Sequence, residues 1–136
     1  MRITIMKFLV VWLCAGSCLR LTWADQTTAE ARFRLPPGQT RPFIHRLVIR
    51  APGRVVLDVA ATPPGVEITL LLRRPDGTVA SQIAASGGNL SLTYFVTRKE
   101  VENSGAARSP RWSVEVSRAA SRAEVSGRLR LSHPGP

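Results

Sequence analysis

Beyond residue 30, apolar and polar side chains take turns along short runs, and Gly, Pro or Asn closes almost every run. In RVVLDVA, Val55, Leu57 and Val59 share one face while Asp58 takes the other. VEITLLL groups Val66, Ile68, Leu70 and Leu72 against Glu67 and Thr69, and RWSVEVS groups Trp112, Val114 and Val116 against Arg111, Ser113 and Glu115. The last run, EVSGRLRL, directs Val125, Leu129 and Leu131 inward and Glu124, Arg128 and Arg130 to water. A period of two marks strands with one buried face, because successive side chains point to opposite sides of a sheet. Between the runs stand Pro36-Pro37-Gly38, Ala51-Pro52-Gly53 and Thr62-Pro63-Pro64-Gly65 at near-regular spacing. Such punctuation predicts an all-β fold of about eight short strands, an antiparallel two-sheet β-sandwich.

No window carries a helical stripe. TTAEARF, Thr27 to Phe33, has some helix propensity, but Pro36-Pro37 limits any helix there to about two turns. SRAASRAEV, Ser117 to Val125, suits one helical turn or a wide loop between the last two strands.

The corner in LLLRRPDGTVAS raises the first question of chemistry. Pro75 presets the first central position of a turn, Asp76 suits the second, and Gly77 takes the left-handed conformation that closes a type I turn with a bulge. A catalytic aspartate needs a partner acid, base or metal ligand, and the flanking residues offer two arginines. Pro75, Asp76 and Gly77 are therefore read as a structural hairpin turn.

The amino-terminal segment changes the picture of location. Arg2 and Lys7 precede the apolar run FLVVWLCAG, Phe8 to Gly16, too short for a bilayer span and of the length of a secretory signal. Met6-Lys7 opens an alternative start of the same kind. Small residues at Thr22 and Ala24 fit a peptidase site, so residues 1–24 are expected to be a cleaved signal peptide and 25–136 a single β-sandwich domain, periplasmic or secreted. Cys14 and Cys18 both fall in the leader. Lipidation at Cys18, after Ala15-Gly16-Ser17, is the alternative fate and makes the protein a lipid-anchored envelope component. A chain processed after Ala24 has no disulfide and must be held by its core.

Without Arg2, Lys7 and Arg20, the basic residues number 16 against nine acidic ones, a net charge of +7, and Lys99 is the single lysine among them. Such a surface attracts anionic polymers, acidic proteins or lipid headgroups. The arginines are scattered and not interleaved with aromatics on one segment, which argues against nucleic acid. His45 and His133 stand 88 positions apart with no metal-ligand spacing, and no cofactor is expected. Solvent-facing positions are the default for both, and His45, between Phe43 and Leu47, also fits a partly buried strand position. None of the serines sits in a nucleophile elbow, and Ser86-Gly87-Gly88-Asn89 reads as a turn between strands. The expectation is no enzyme, with a periplasmic hydrolase of unrecognised site as the alternative.

The polar stretch TRKEVENSGAARSP, Thr97 to Pro110, is expected to be a solvated loop at one end of the sandwich. Arg98, Lys99, Glu100, Glu102, Asn103 and Arg108 are its candidate partner-binding residues.

Taken in order, these elements resemble the bacterial pre-peptidase C-terminal domain, over roughly residues 31 to 132. Leu70, Leu72, Pro75, Asp76 and Gly77 match its apolar strand running into a Pro-Asp-Gly hairpin. Trp112, Val114 and Val116 match its aromatic-led penultimate strand, and Leu129 and Leu131 its closing strand. The resemblance implies a jelly-roll-like sandwich and a free-standing noncatalytic accessory or binding module for a secreted or envelope protein or an envelope polymer. This chain departs from the family at Glu67 and Thr69, where acidic pairs are common, and at Ser109-Pro110-Arg111-Trp112, where Gly-x-Tyr is common. With no oxygen-ligand run in their place, calcium binding is not expected.

Overall fold

The computed structural model describes residues 4–6, 26–38, 41–119 and 123–135. Its strands are β1 (Thr4–Met6), β2 (Gln26–Leu35), β3 (Phe43–Val48), β4 (Gly53–Thr62), β5 (Ile68–Arg73), β6 (Val79–Ala85), β7 (Asn89–Val96), β8 (Arg111–Arg118) and β9 (Val125–Pro134), with one helix, α1 (Arg98–Ala106). A front sheet has the order β1-β2-β9-β4-β7 and a back sheet the order β3-β8-β5-β6, every pairing antiparallel. Setting aside β1, eight strands divide into two sheets of four in jelly-roll order, with chain neighbours placed mostly in opposite sheets.

The alternation expected from the sequence is what closes the core. Val55, Leu57 and Val59 of β4, Leu70 and Leu72 of β5, Trp112, Val114 and Val116 of β8, and Val125, Leu129 and Leu131 of β9 are all buried between the sheets. Aromatic pairs join the layers, with Phe33 against Phe43 at 5.7 Å and Tyr94 against Trp112 at 6.4 Å between ring centroids. Arg118, at the end of β8, is buried and donates to the carbonyl oxygens of Ala123 and Pro36, tying two connections to the sandwich end.

Two segments differ from the sequence expectation. Thr27 to Phe33 is strand throughout, because pairing along the whole of β9 satisfies its backbone and outweighs the modest helix preference of Ala and Glu. Thr97 to Pro110 is not a loop; its first part is α1, started by a capping box. Thr97 accepts from the Glu100 N–H at 3.2 Å, and Glu100 accepts in return from the Thr97 N–H at 3.1 Å. Only Ser104 is buried along α1, with Val101 packed partly on the core, so the helix has no apolar stripe to announce it.

β1 falls within residues 1–24, and pairs Thr4, Ile5 and Met6 with Thr28, Thr27 and Gln26. Residues 7–24, with Cys14, Cys18 and the expected cleavage site, lie outside the described residues, as do 120–122 of the connection before β9. Among the described residues no helix is long and apolar enough to cross a membrane.

Candidate functional site: a basic trench on the front sheet

The turn at Pro75-Asp76-Gly77 is built as its residues require. Gly77 donates to the Arg74 carbonyl at 3.0 Å and adopts φ 90°, a left-handed backbone that side chains disfavour. Asp76 accepts from the Thr78 N–H at 2.9 Å and hydroxyl at 2.6 Å, and those bonds hold its carboxyl below the usual range. The β5–β6 register shifts after Leu72, the bulge expected of this turn. Asp76 is thus occupied by its own turn.

The candidate residues on and just after α1 divide. Arg98, Lys99, Glu102, Asn103 and Arg108 are exposed. Glu100 instead turns inward, accepting from the Tyr94 hydroxyl at 2.6 Å and from Arg74 Nε at 2.9 Å. Arg74 in turn donates to the Tyr94 hydroxyl at 3.1 Å and lies over that ring at 5.9 Å. Burial pushes the Glu100 carboxyl up, but the hydrogen bonds from Tyr94, Arg74 and Thr97 outweigh it and hold the group below its ordinary value. This triad fastens α1 to the β5–β6 hairpin and to β7.

The two histidines, distant in sequence, interact through the fold. Burial lowers the pKa of His45, and the charge of His133 lowers it further. The folded protein therefore prefers His45 neutral, whereas the unfolded chain takes up a proton near the ordinary value of 6.5. Stability is expected to be flat above about pH 6.5 and to fall as the pH drops through the ordinary value toward the lowered one. Urea melts from pH 8 to pH 5 check this, and His45→Gln is expected to flatten the slope. Among the described residues no group of three or more His, Cys, Asp or Glu could hold a metal ion.

The feature that sequence alone does not show is on the outer face of the front sheet. Antiparallel pairing sets Arg32, Arg128, Ala60 and Asn89 in one cross-strand row, and Glu30, Arg130, Asp58 and Ser91 in the next. Arg32 and Arg128 stand directly opposite each other, about 5 Å apart at Cβ in such a pair, where like charges repel. Small residues behind them leave a depression of about 700 Å³ bounded by Arg32, Ala60, Gly88, Asn89 and Arg128. A second, of about 450 Å³, shares Ala60, Asn89 and Arg128 and continues past Asp58 and Arg130. Together they form one open trench across four strands.

The trench is basic. Arg32, Arg128 and Arg130 line it against the carboxylates Glu30 and Asp58, while Arg34, paired with Glu124 at 2.7 Å, and Arg54 face outward on the same sheet beyond it. Glu30 lies 3.6 Å from Arg128 and 3.9 Å from Arg130, while Asp58 accepts from Ser91 at 2.7 Å. Among the described residues Arg32 has no carboxylate partner. At the far end of the sheet Phe95, 62% exposed, carries the Arg54 guanidinium 5.5 Å from its ring centre. The back sheet turns Arg46, Arg73 and Arg111 outward as well, with Arg73 paired to Glu115 at 3.1 Å among Ile44 and Leu71. Alternation marks Arg128 and Arg130 as outward residues of the last strand, but it carries no sign that β9 lies between β2 and β4.

No family model matches this chain, and no curated protein is significantly similar to it in sequence. Among solved structures it is similar to a subunit of the disulfide-linked pili of Bacillus endospore appendages, at 11% identity and TM-score 0.48, with 90% of this chain and 100% of that chain covered. It is also similar to the VP2 subviral particle of infectious bursal disease virus, at 14% identity and TM-score 0.42 over 90% of this chain. The Gt strain of the same virus gives 17% identity and TM-score 0.35, also over 90% of this chain. The chain spans 38% of the length of each viral structure.

Proposed function

We propose that this protein is an exported, noncatalytic β-sandwich module that binds an anionic envelope polymer along the trench of its front sheet. The observation that carries the reading is the Arg32–Arg128 pair, two like charges held opposite each other with Arg32 lacking a carboxylate among the described residues. Repulsion of that kind is relieved by an anion placed between the guanidiniums, which offer planar donor forks suited to carboxylate, sulfate or phosphate groups. An open trench suits an extended chain of repeating anions better than a small ligand, for which pockets are enclosed and mostly apolar. The resemblance to the pre-peptidase C-terminal domain supports the same class of role, that of an accessory binding module.

Retention on heparin and on cell-envelope material across a salt series tests the proposal. Replacing Arg32 and Arg128 together by Ser is expected to lower retention and to flatten its salt dependence, since exposed charges act over a screening length of about 8 Å at physiological ionic strength. Replacing Arg98, Lys99 and Arg108 by Ser, on and just after α1, is expected to change it much less. Binding that survives high salt and is lost with this second variant instead overturns the polymer reading in favour of a protein partner recognised by the helix.

A further inference from the structure

A sandwich with two four-stranded sheets has open edges, and this one protects them unequally. β6 carries the bulge after the hairpin, β3 follows Pro42, and β7 lies against β6 across the side of the sandwich. These are the usual devices that blunt a strand edge. β2 bears Glu30, Arg32 and Arg34 and ends before Pro36-Pro37, but it has no bulge. Its ten residues pair with β9 without a register shift, and on its outer side β1 reaches only Gln26, Thr27 and Thr28. From Ala29 to Leu35 that outer edge is bare among the described residues, although Ala29, Phe33 and Leu35 are themselves buried in the core.

We propose that the outer edge of β2 is a self-association edge, pairing antiparallel with β2 of a second copy about a two-fold axis through Ala31. Charge selects both the occupant and the register. Residues opposite each other in an antiparallel pair lie on the same face, so core-facing Ala29, Ala31, Phe33 and Leu35 must oppose core-facing residues of the other copy. That leaves registers centred on a single residue. Centring on Glu30 opposes Glu30 to itself, and centring on Arg32 opposes Arg32 to itself. Centring on Phe33 opposes Arg32 to Arg34. Centring on Ala31 opposes Glu30 to Arg32 twice over by symmetry and runs from Thr27 to Leu35 in each copy.

The pairing has two consequences. It joins the front sheets into one continuous sheet, so that two trenches lie side by side and a long polymer engages both. It also competes with β1, which covers Thr27 and Thr28. Loss of residues 1–24 on export, a step that belongs to the function proposed above, opens the full length of the edge. An edge pairing of this size lies at the small end of specific interfaces, so the dimer is expected to be concentration-dependent.

The test uses the exported protein, whose mass reports leader removal independently of association. Sedimentation velocity is expected to show a monomer–dimer equilibrium. Glu30→Arg and Arg32→Glu, each placing like charges opposite each other twice, are expected to weaken it about tenfold or more, and mixing the two variants is expected to restore it. Circular dichroism checks that each variant is folded. Ala31→Cys supplies a readout that does not disturb charge, because a residue on the two-fold axis faces its own copy at disulfide distance. Disulfide crosslinks between the position-31 thiols of two copies, identified by peptide mass, are expected to form readily, and Thr28→Cys, opposite Arg34 of the other copy, to crosslink far less. A strictly monomeric protein at millimolar concentration, failure of the mixed variants to associate, or equal crosslinking at positions 31 and 28 overturns the proposal. A retained leader overturns only the export step, since the centre of the pairing, Ala29 to Phe33, lies clear of β1 and is still read by the Ala31→Cys variant.

Discussion

Gly127→Ala is expected to destabilise the sandwich by about 3 kcal/mol, at the upper end for overpacking a strand interior. Gly127 lies on the core face of β9 in the row Phe33–Gly127–Ala61. A Cβ there meets the Ala60 carbonyl oxygen at 2.2 Å, the Phe33 ring at 2.9 Å and Ala61 Cα at 3.0 Å. Two of the three are backbone atoms of the neighbouring strand, so no rotamer change relieves the contact and β4 and β9 must separate locally. The missing side chain is what lets the Phe33 ring lie across the sheet and reach Phe43 of the opposite layer. Urea denaturation gives the loss directly. Gly87→Ala, where an added Cβ meets nothing within 4 Å, is the control and is expected to stay within about 0.5 kcal/mol of the parent. A Gly127→Ala protein as stable as the control contradicts the packing account.

Glu100→Ala is expected to cost about 2–3 kcal/mol, more than an ordinary exposed ion pair contributes. The Glu100 side chain is 16% exposed and that of Arg74 30%, so both are largely withdrawn from water. Removing the carboxylate leaves the Tyr94 hydroxyl and the Arg74 guanidinium without their strongest acceptor and strips the α1 capping box of its second half. Glu100→Gln is expected to cost less, because an amide oxygen still caps Thr97. A double-mutant cycle with Arg74→Met separates the ion pair from the cap. The acid side gives an independent check. A carboxyl held below its ordinary 4.5 contributes stability that is complete above that value and is lost as pH falls toward the lowered one, and Glu100→Gln is expected to remove that component.

The features legible along the chain are local ones. Period-two alternation in Val55–Val59, Ile68–Leu72, Trp112–Val116 and Val125–Leu131 identified the strands and their buried faces, because a strand's pleat leaves each residue only two directions. Pro75-Asp76-Gly77 identified its own turn, since the backbone angles and the Asp76–Thr78 bonds involve adjacent residues. The α1 helix had a local sign as well, Thr97 and Glu100 at capping-box spacing, but it lacked a stripe because only Val101 and Ser104 touch the core. Thr27–Phe33 went the other way: its propensity pointed to helix, and a partner strand near the far end of the chain made it strand.

The trench, the Arg74–Tyr94–Glu100 triad and the bare edge come from the tertiary arrangement. Jelly-roll order sends the last strand between the second and the fourth, and that placement sets Arg128 opposite Arg32 and Glu30 beside Arg128 and Arg130. Arg74 meets Glu100 only because a hairpin of one sheet and a helix following the other arrive at the same side of the sandwich. Alternation tells which residues face outward, but cross-strand register tells which of them meet. Register is the sum of many long-range pairings and packed side chains, each too weak to be read from its own stretch of chain, and it is register that turned scattered arginines into a surface.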